Sequence, residues 1–184
     1  MSDRYEIRFA GSGGQGVILA AVVVGEAAAI FEGLNAVQSQ AYGPEARGGK
    51  SKSEVVISRD GIDYPKATAP NLQIILNQTS CDEFVADTAK GGVVIADDTY
   101  VNSVPNSDAE VYMLPIVKTA REKIGRELVT NMVALGVTAR VLEAEGMMKP
   151  ESLKKAILQR VPKGTEEMNE RAFNEGYELM KAKK

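Results

Sequence analysis

Residues 4–31 read RYEIRFAGSGGQGVILAAVVVGEAAAIF, and their interpretation decides the fold. Tyr5–Ala10 alternates and runs into glycines, which predicts a first strand. Gln15–Glu32 is rich in Ala, Val and Ile and apolar almost all round, which predicts a buried helix ended by Gly33 and Asn35. Between them Gly11, Gly13 and Gly16 satisfy the spacing G-x-G-x-x-G, the turn that leads from a strand into a nucleotide-binding helix. Glycine permits the tight turn and the close backbone approach, and the helix start offers unpaired N–H groups to an anion.

The second half of that signature is missing. A dinucleotide site places an acidic residue at the end of the next strand for the ribose hydroxyls. The corresponding stretch here is NAVQSQAY (residues 35–42), which has Gln38, Ser39 and Gln40 but no Asp or Glu. NAD is therefore disfavoured. The string GPEARGGKS at Gly43–Ser51 also misses the P-loop spacing by one residue, and it leads into a strand rather than a helix. Gly11, Gly13, Gly14, Gln15 and Gly16 then have two readings: backbone N–H groups that hold an anion, or glycines that let the first helix or another chain pack closely.

Beyond this unit the strand expectations are Ala36–Tyr42, Ser53–Ser58, Leu72–Leu76, Gly92–Ala96 and Glu110–Leu114. Asp60–Gly61 followed by Ile62–Tyr64 reads as a hairpin partner for Ser53–Ser58. The continuous apolar runs LQIIL and GVVIA fit strands buried on both faces, with a helix at Ser80–Lys90 between them. From Lys118 the pattern turns helical: Lys118–Lys123, Glu127–Glu145, Glu151–Gln159 and Thr165–Lys181. With 184 residues and no repeat or linker, residues 1–184 form one α/β domain. It is Rossmann-like, with a mostly parallel sheet, an antiparallel hairpin addition, helices on both faces and a helical C-terminal layer.

Composition narrows the chemistry. The chain has no His, which excludes a His general base, a His-based triad and His metal ligands. Its single cysteine, Cys81, forms no internal disulfide and holds no iron–sulfur cluster, and it reads as a buried structural thiol. Asp97 and Asp98 close a strand at the ligand-binding edge of α/β sheets, where capping or solvent exposure is favoured over a metal. A net charge of −3 and 5% aromatics give no footprint for nucleic acid. The start of the chain lacks a secretory core, Val17–Ile30 is too short to span a bilayer, and the expected location is the cytoplasm. Lys181–Lys184 reads as a solvated helix end.

The loop YGPEARGG at Tyr42–Gly49 combines an aromatic, a proline, glycines and a charged pair, and it shifts the balance. Together with GSGGQGV at Gly11–Val17, SEVVIS at Ser53–Ser58, IDYP at Ile62–Pro65, NMVALG at Asn131–Gly136 and EEMNERAFNEGYE at Glu166–Glu178, it resembles the gamma subunit of 2-oxoacid:ferredoxin oxidoreductases. The loop looks like that of the 2-oxoglutarate or branched-chain members; the indolepyruvate enzymes use a similar domain in their beta subunit.

The resemblance implies a divided enzyme. It would decarboxylate a 2-oxoacid oxidatively, form an acyl-coenzyme A and pass electrons to ferredoxin. Thiamine diphosphate, Mg and the iron–sulfur clusters would sit in alpha, beta and delta partner subunits. No catalytic residue transfers to this chain, which would be inactive alone and could pair with itself when isolated. Tyr42, Gly43, Pro44, Glu45, Arg47, Gly48 and Gly49 become candidates for the partner interface. Gly11–Gly16, Arg47 and Lys50 become candidates for holding a phosphate of coenzyme A. The alternative is a stand-alone nucleotide- or coenzyme A-binding module.

Overall fold

The computed structural model describes residues 4–42 and 49–181. The first strand, β1 (Tyr5–Ser12), lies inside a six-stranded sheet and is buried from Tyr5 to Gly11. It leads into α1 (Val17–Glu26), which continues through a π turn at Ala27–Phe31. There follow β2 (Asn35–Tyr42), β3 (Lys50–Ser58), β4 (Leu72–Ile75), α2 (Gln78–Phe84), β5 (Val93–Asp97) and β6 (Glu110–Leu114). The chain finishes with α3 (Ile116–Thr119), α4 (Thr130–Ala144), α5 (Pro150–Arg160) and α6 (Glu166–Lys181).

The sheet order is β2-β3-β1-β4-β5-β6. β1, β4, β5 and β6 pair in parallel, while β3 is antiparallel to both β1 and β2. Five strands thus point one way and β3 alone runs back. The mostly parallel α/β expectation holds, and the antiparallel addition is the pair β2–β3.

Alternation along β1 divides the molecule into two cores. Ile7 and Phe9 join the larger one, with α1, α3, α4, α5 and α6. On the other face Ala10 joins a smaller cluster of Ile75, Val94 and Ala96 under Cys81, Phe84 and Val85. That second face also buries charge. Arg8 pairs with Glu54 at 2.8 Å and with Asp87 at 2.7 Å, and its guanidinium lies 5.1 Å from the centre of the Phe84 ring. Buried charge is tolerated because each group is paired.

Two expectations are corrected. Ile62–Tyr64 is not a strand. Arg4 donates to the carbonyls of Tyr64 (2.7 Å) and Lys66 (2.8 Å), and the Glu6 carboxylate accepts from the N–H groups of Thr68 (2.7 Å) and Ala69 (2.9 Å). Side chains of the β1 end therefore satisfy this backbone where a ladder would have done so. Nor is the first helix buried all round. It begins at Val17, and its flank of Ile18 and Val22 is half-buried, with Ala29 and Ile30 exposed beyond it.

The C-terminal layer is set by two glycines. A Cβ on Gly136 of α4 would lie 2.0 Å from the Phe173 carbonyl oxygen, and one on Gly176 of α6 would lie 1.9 Å from that of Val133. The two helices touch backbone to backbone. Among the described residues no helix is long and apolar enough to cross a membrane.

Candidate functional site

In an open α/β sheet the ligand crevice lies at the carboxyl ends of the strands, where the strand order reverses. Here that point falls between β1 and β4, so the glycine loop and Leu76–Gln78 form its walls. The crevice is laced shut by the chain's own side chains. The Gln15 amide oxygen accepts from the Ser12 N–H at 2.7 Å, and its Nε2 donates to the Leu76 carbonyl at 3.1 Å. Asn77 Nδ2 donates to Ser12 Oγ at 2.7 Å, while Asn77 Oδ1 caps α2 at the Ser80 N–H, 2.8 Å away.

The glycines divide into two kinds. A Cβ on Gly11 would sit 2.4 Å from Gln15 Oε1, and one on Gly16 would sit 2.5 Å from Asn131 Nδ2. Gly16 also takes a φ of 73° at the start of α1. Both are glycine so that Gln15 and the buried Asn131 can close over the loop. Gly13 and Gly14 are exposed at its tip, Gly14 with a φ of 94°.

The structure brings the ends of the two sequence-predicted loops together. The Gly13 N–H donates to the Gly49 carbonyl at 2.9 Å, beyond the last rung of the β1–β3 ladder at Ser12–Lys50. The Lys50 ammonium pairs with Glu83 of α2 at 2.6 Å. Tyr42 ends β2 opposite Ser51. The candidates Gly43, Pro44, Glu45, Arg47 and Gly48 lie outside the described residues.

Ser12, Gln15 and Asn77, whose side chains lace the crevice, do not ionise, so they offer no proton to give or take. Asp97 is fully buried and accepts from the N–H groups of Thr99 (3.1 Å), Tyr100 (3.0 Å) and Val117 (2.8 Å). Burial raises its carboxyl above the ordinary range against those three donors, and its job is to cap two backbone turns. Cys81 lies on the buried face of α2, and burial, with Asp82 adding, pushes its thiol up to about 11.

Sequence reasoning passed over Asn77, Asn131 and Leu128. Asn77 carries a readable signal, an Asn three residues before Ser80 at a helix start. Asn131 figured only as the first residue of NMVALG, and nothing local marks its contact with Gly16, 115 positions away in the chain. Leu128 is 76% exposed in the turn before α4. Beside it Tyr100, after β5, donates to Glu127 at 3.0 Å, and Arg121 holds the same carboxylate at 2.7 Å. Leu128 thus stands exposed beside the polar cluster of Tyr100, Glu127 and Arg121.

Comparison with known proteins completes the picture. Residues 6–179 match the family described as pyruvate ferredoxin/flavodoxin oxidoreductase. The chain is similar to 2-oxoglutarate synthase subunit KorC of Methanocaldococcus jannaschii, 47% identical over 180 residues, which are 97% of this chain and 95% of that one. The KorC subunit of Methanothermobacter marburgensis is 43% identical over 96% of this chain and 97% of its own. Among solved structures, the gamma subunit of a keto/oxoacid ferredoxin oxidoreductase from Geobacter sulfurreducens superposes with a TM-score of 0.88 at 44% identity, covering 97% of each chain. The 2-oxoglutarate:ferredoxin oxidoreductase of Magnetococcus marinus shares the fold, with a TM-score of 0.88 at 22% identity. There this whole chain matches 32% of a longer one.

Proposed function

The chain belongs to the pyruvate ferredoxin/flavodoxin oxidoreductase family, and on that premise we propose that it is the gamma subunit of a 2-oxoglutarate:ferredoxin oxidoreductase. The observation that carries this reading is similarity to KorC subunits over 95% or more of both chains. The assembled enzyme would convert 2-oxoglutarate and coenzyme A to the acyl-coenzyme A and carbon dioxide, passing two electrons to ferredoxin. Thiamine diphosphate with its Mg belongs to the partner subunits. So do the clusters, because a chain with one buried cysteine and no histidine has no ligand set for them. The complex works in the cytoplasm.

This chain's own part is to bind and position. A nucleotide fold whose crevice is filled by Gln15 and Asn77 has traded a ligand for a rigid rim. The exposed Gly13–Gly14 tip, Leu128 and Tyr100 present that rim to the alpha and beta subunits, and the sequence-predicted interface residues Tyr42–Gly49 are assigned to the same partners. A coenzyme A phosphate would be held by the Gly11–Gly16 loop with Arg47 and Lys50, whose ammonium pairs with Glu83 in an exposed ion pair when no anion is bound.

A native pull-down on this chain, with viologen reduction as the readout, tests the assignment. Co-purified thiamine-binding and iron–sulfur subunits, with coenzyme A-dependent activity on 2-oxoglutarate, are the expected result. Activity on pyruvate or a branched 2-oxoacid would change the substrate. A chain recovered alone from cells that express those subunits, and binding coenzyme A at micromolar levels, would replace the subunit reading with the stand-alone module.

A further inference from the structure

We infer that Asn131 and the start of α1 form one oxyanion site, built where the N-termini of α1 and α4 meet. It deepens the phosphate-holding role proposed above for the Gly11–Gly16 loop and rests on it. α1 opens at Gly16 with no side-chain cap and no acidic residue in its first turn. Its first internal bond runs from the Ala20 N–H to the Gly16 carbonyl at 3.0 Å, so the N–H groups of Val17, Ile18 and Leu19 come before it. α4 likewise opens without a side-chain cap or a first-turn acid. Each of these helix ends carries about half a positive charge. They touch: a Cβ on Gly16 would lie 2.5 Å from Asn131 Nδ2 and 2.9 Å from Asn131 Cβ. Glu127, in the turn before α4, has its carboxylate held by Arg121 at 2.7 Å.

Two helix ends become a site through the amide between them. Asn131 is 5% exposed, and its side chain makes no hydrogen bond among the described residues. A primary amide taken this far out of water loses its hydration and normally recovers the bonds inside the protein. Gln15, Asn77 and Asn169 each do so. Asn131 keeps its two N–H donors for a guest, next to the unused first-turn N–H groups of α1. All of these donors are neutral and have positive helix ends behind them, which selects a compact oxyanion. A phosphate of coenzyme A and a carboxylate of a partner subunit present that same chemistry.

The first measurement uses the full chain, with inorganic phosphate as the probe at constant ionic strength. In an NMR titration the N–H signals of Gly16, Val17 and Ile18 and the side-chain amide of Asn131 should shift together and saturate. Asn131→Asp keeps the shape of the side chain and puts a carboxylate where both helix ends favour one, so the melting temperature should hold or rise. The same carboxylate should repel phosphate and weaken its binding by about tenfold or more. The complex purified with this variant then separates the two sources. A KM for coenzyme A raised about tenfold, at nearly unchanged kcat and with assembly intact, identifies a phosphate. Subunits that part at about tenfold higher concentration, with KM unchanged, identify a partner carboxylate. A wild-type chain with no saturable shift, a variant that binds phosphate as well as wild type, or a complex unchanged in both respects would overturn the proposal. The titration needs no partner, so an enzyme that acts on another 2-oxoacid would fail the substrate reading and leave this site standing.

Discussion

Gln15 is the residue on which the candidate site turns. A long amide in a glycine loop is unexpected until its two hydrogen bonds are seen, one to the strand before it and one to the strand beside it. Gln15→Ala removes both and opens a polar gap, so urea denaturation should show a loss of about 1–2 kcal/mol. Gly16→Ala should cost more, because the new methyl both meets Asn131 and is forced into a left-handed backbone. At Cys81, a thiol pushed up to about 11 is thiolate only about once in a thousand molecules at pH 8. Iodoacetamide followed by mass spectrometry should find it unmodified in the folded chain and labelled once urea is added. The sequence placed the glycines correctly and left their purpose open between anion binding and packing. The structure adds the packing contacts with Leu76, Asn77 and Asn131, about which local spacing carries no information.

Among elements, the crossing of α4 and α6 is the most exacting contact. Gly136→Ala or Gly176→Ala drives a methyl into a backbone carbonyl, and rigid helices cannot yield as a side-chain end can. Either change should lower stability by about 3 kcal/mol in denaturant titrations. The double variant should cost less than the sum, since both force the same separation. The sequence announced α6 through its periodicity, and the buried strands LQIIL and GVVIA through their unbroken apolar runs. It misplaced the hairpin, because Asp60–Gly61 after a strand is a turn signal whatever follows. The segment that follows is instead held by residues about sixty positions earlier, Arg4 at the Tyr64 and Lys66 carbonyls and Glu6 at the Thr68 and Ala69 N–H groups. The strand that does pair with β3 on that side lies before it in the chain, at Asn35–Tyr42.

For the molecule as a whole, the first and last thirds are stitched by Glu26 and Arg160, whose Nε lies 2.6 Å from the carboxylate. The arginine lowers the Glu26 pKa from 4.5, so this contribution is present above that value and fades as pH falls through the lowered one. The pair is partly exposed and screened by water, so Arg160→Ala should cost under about 1 kcal/mol at pH 7. The difference between variant and wild type should shrink as pH is taken below 4.5, as a series of urea titrations would read.

The lone reversal of β3 reaches furthest. Because β3 runs against its neighbours, β2 ends and β3 begins at the end of the sheet that holds the glycine loop, and one hydrogen bond from Gly13 to Gly49 ties the start of β3 to that loop. The turn that opens the first helix is therefore anchored twice, by its own strand and by the strand that returns beside it. A backbone held from two sides keeps its shape when a single side chain on it is exchanged.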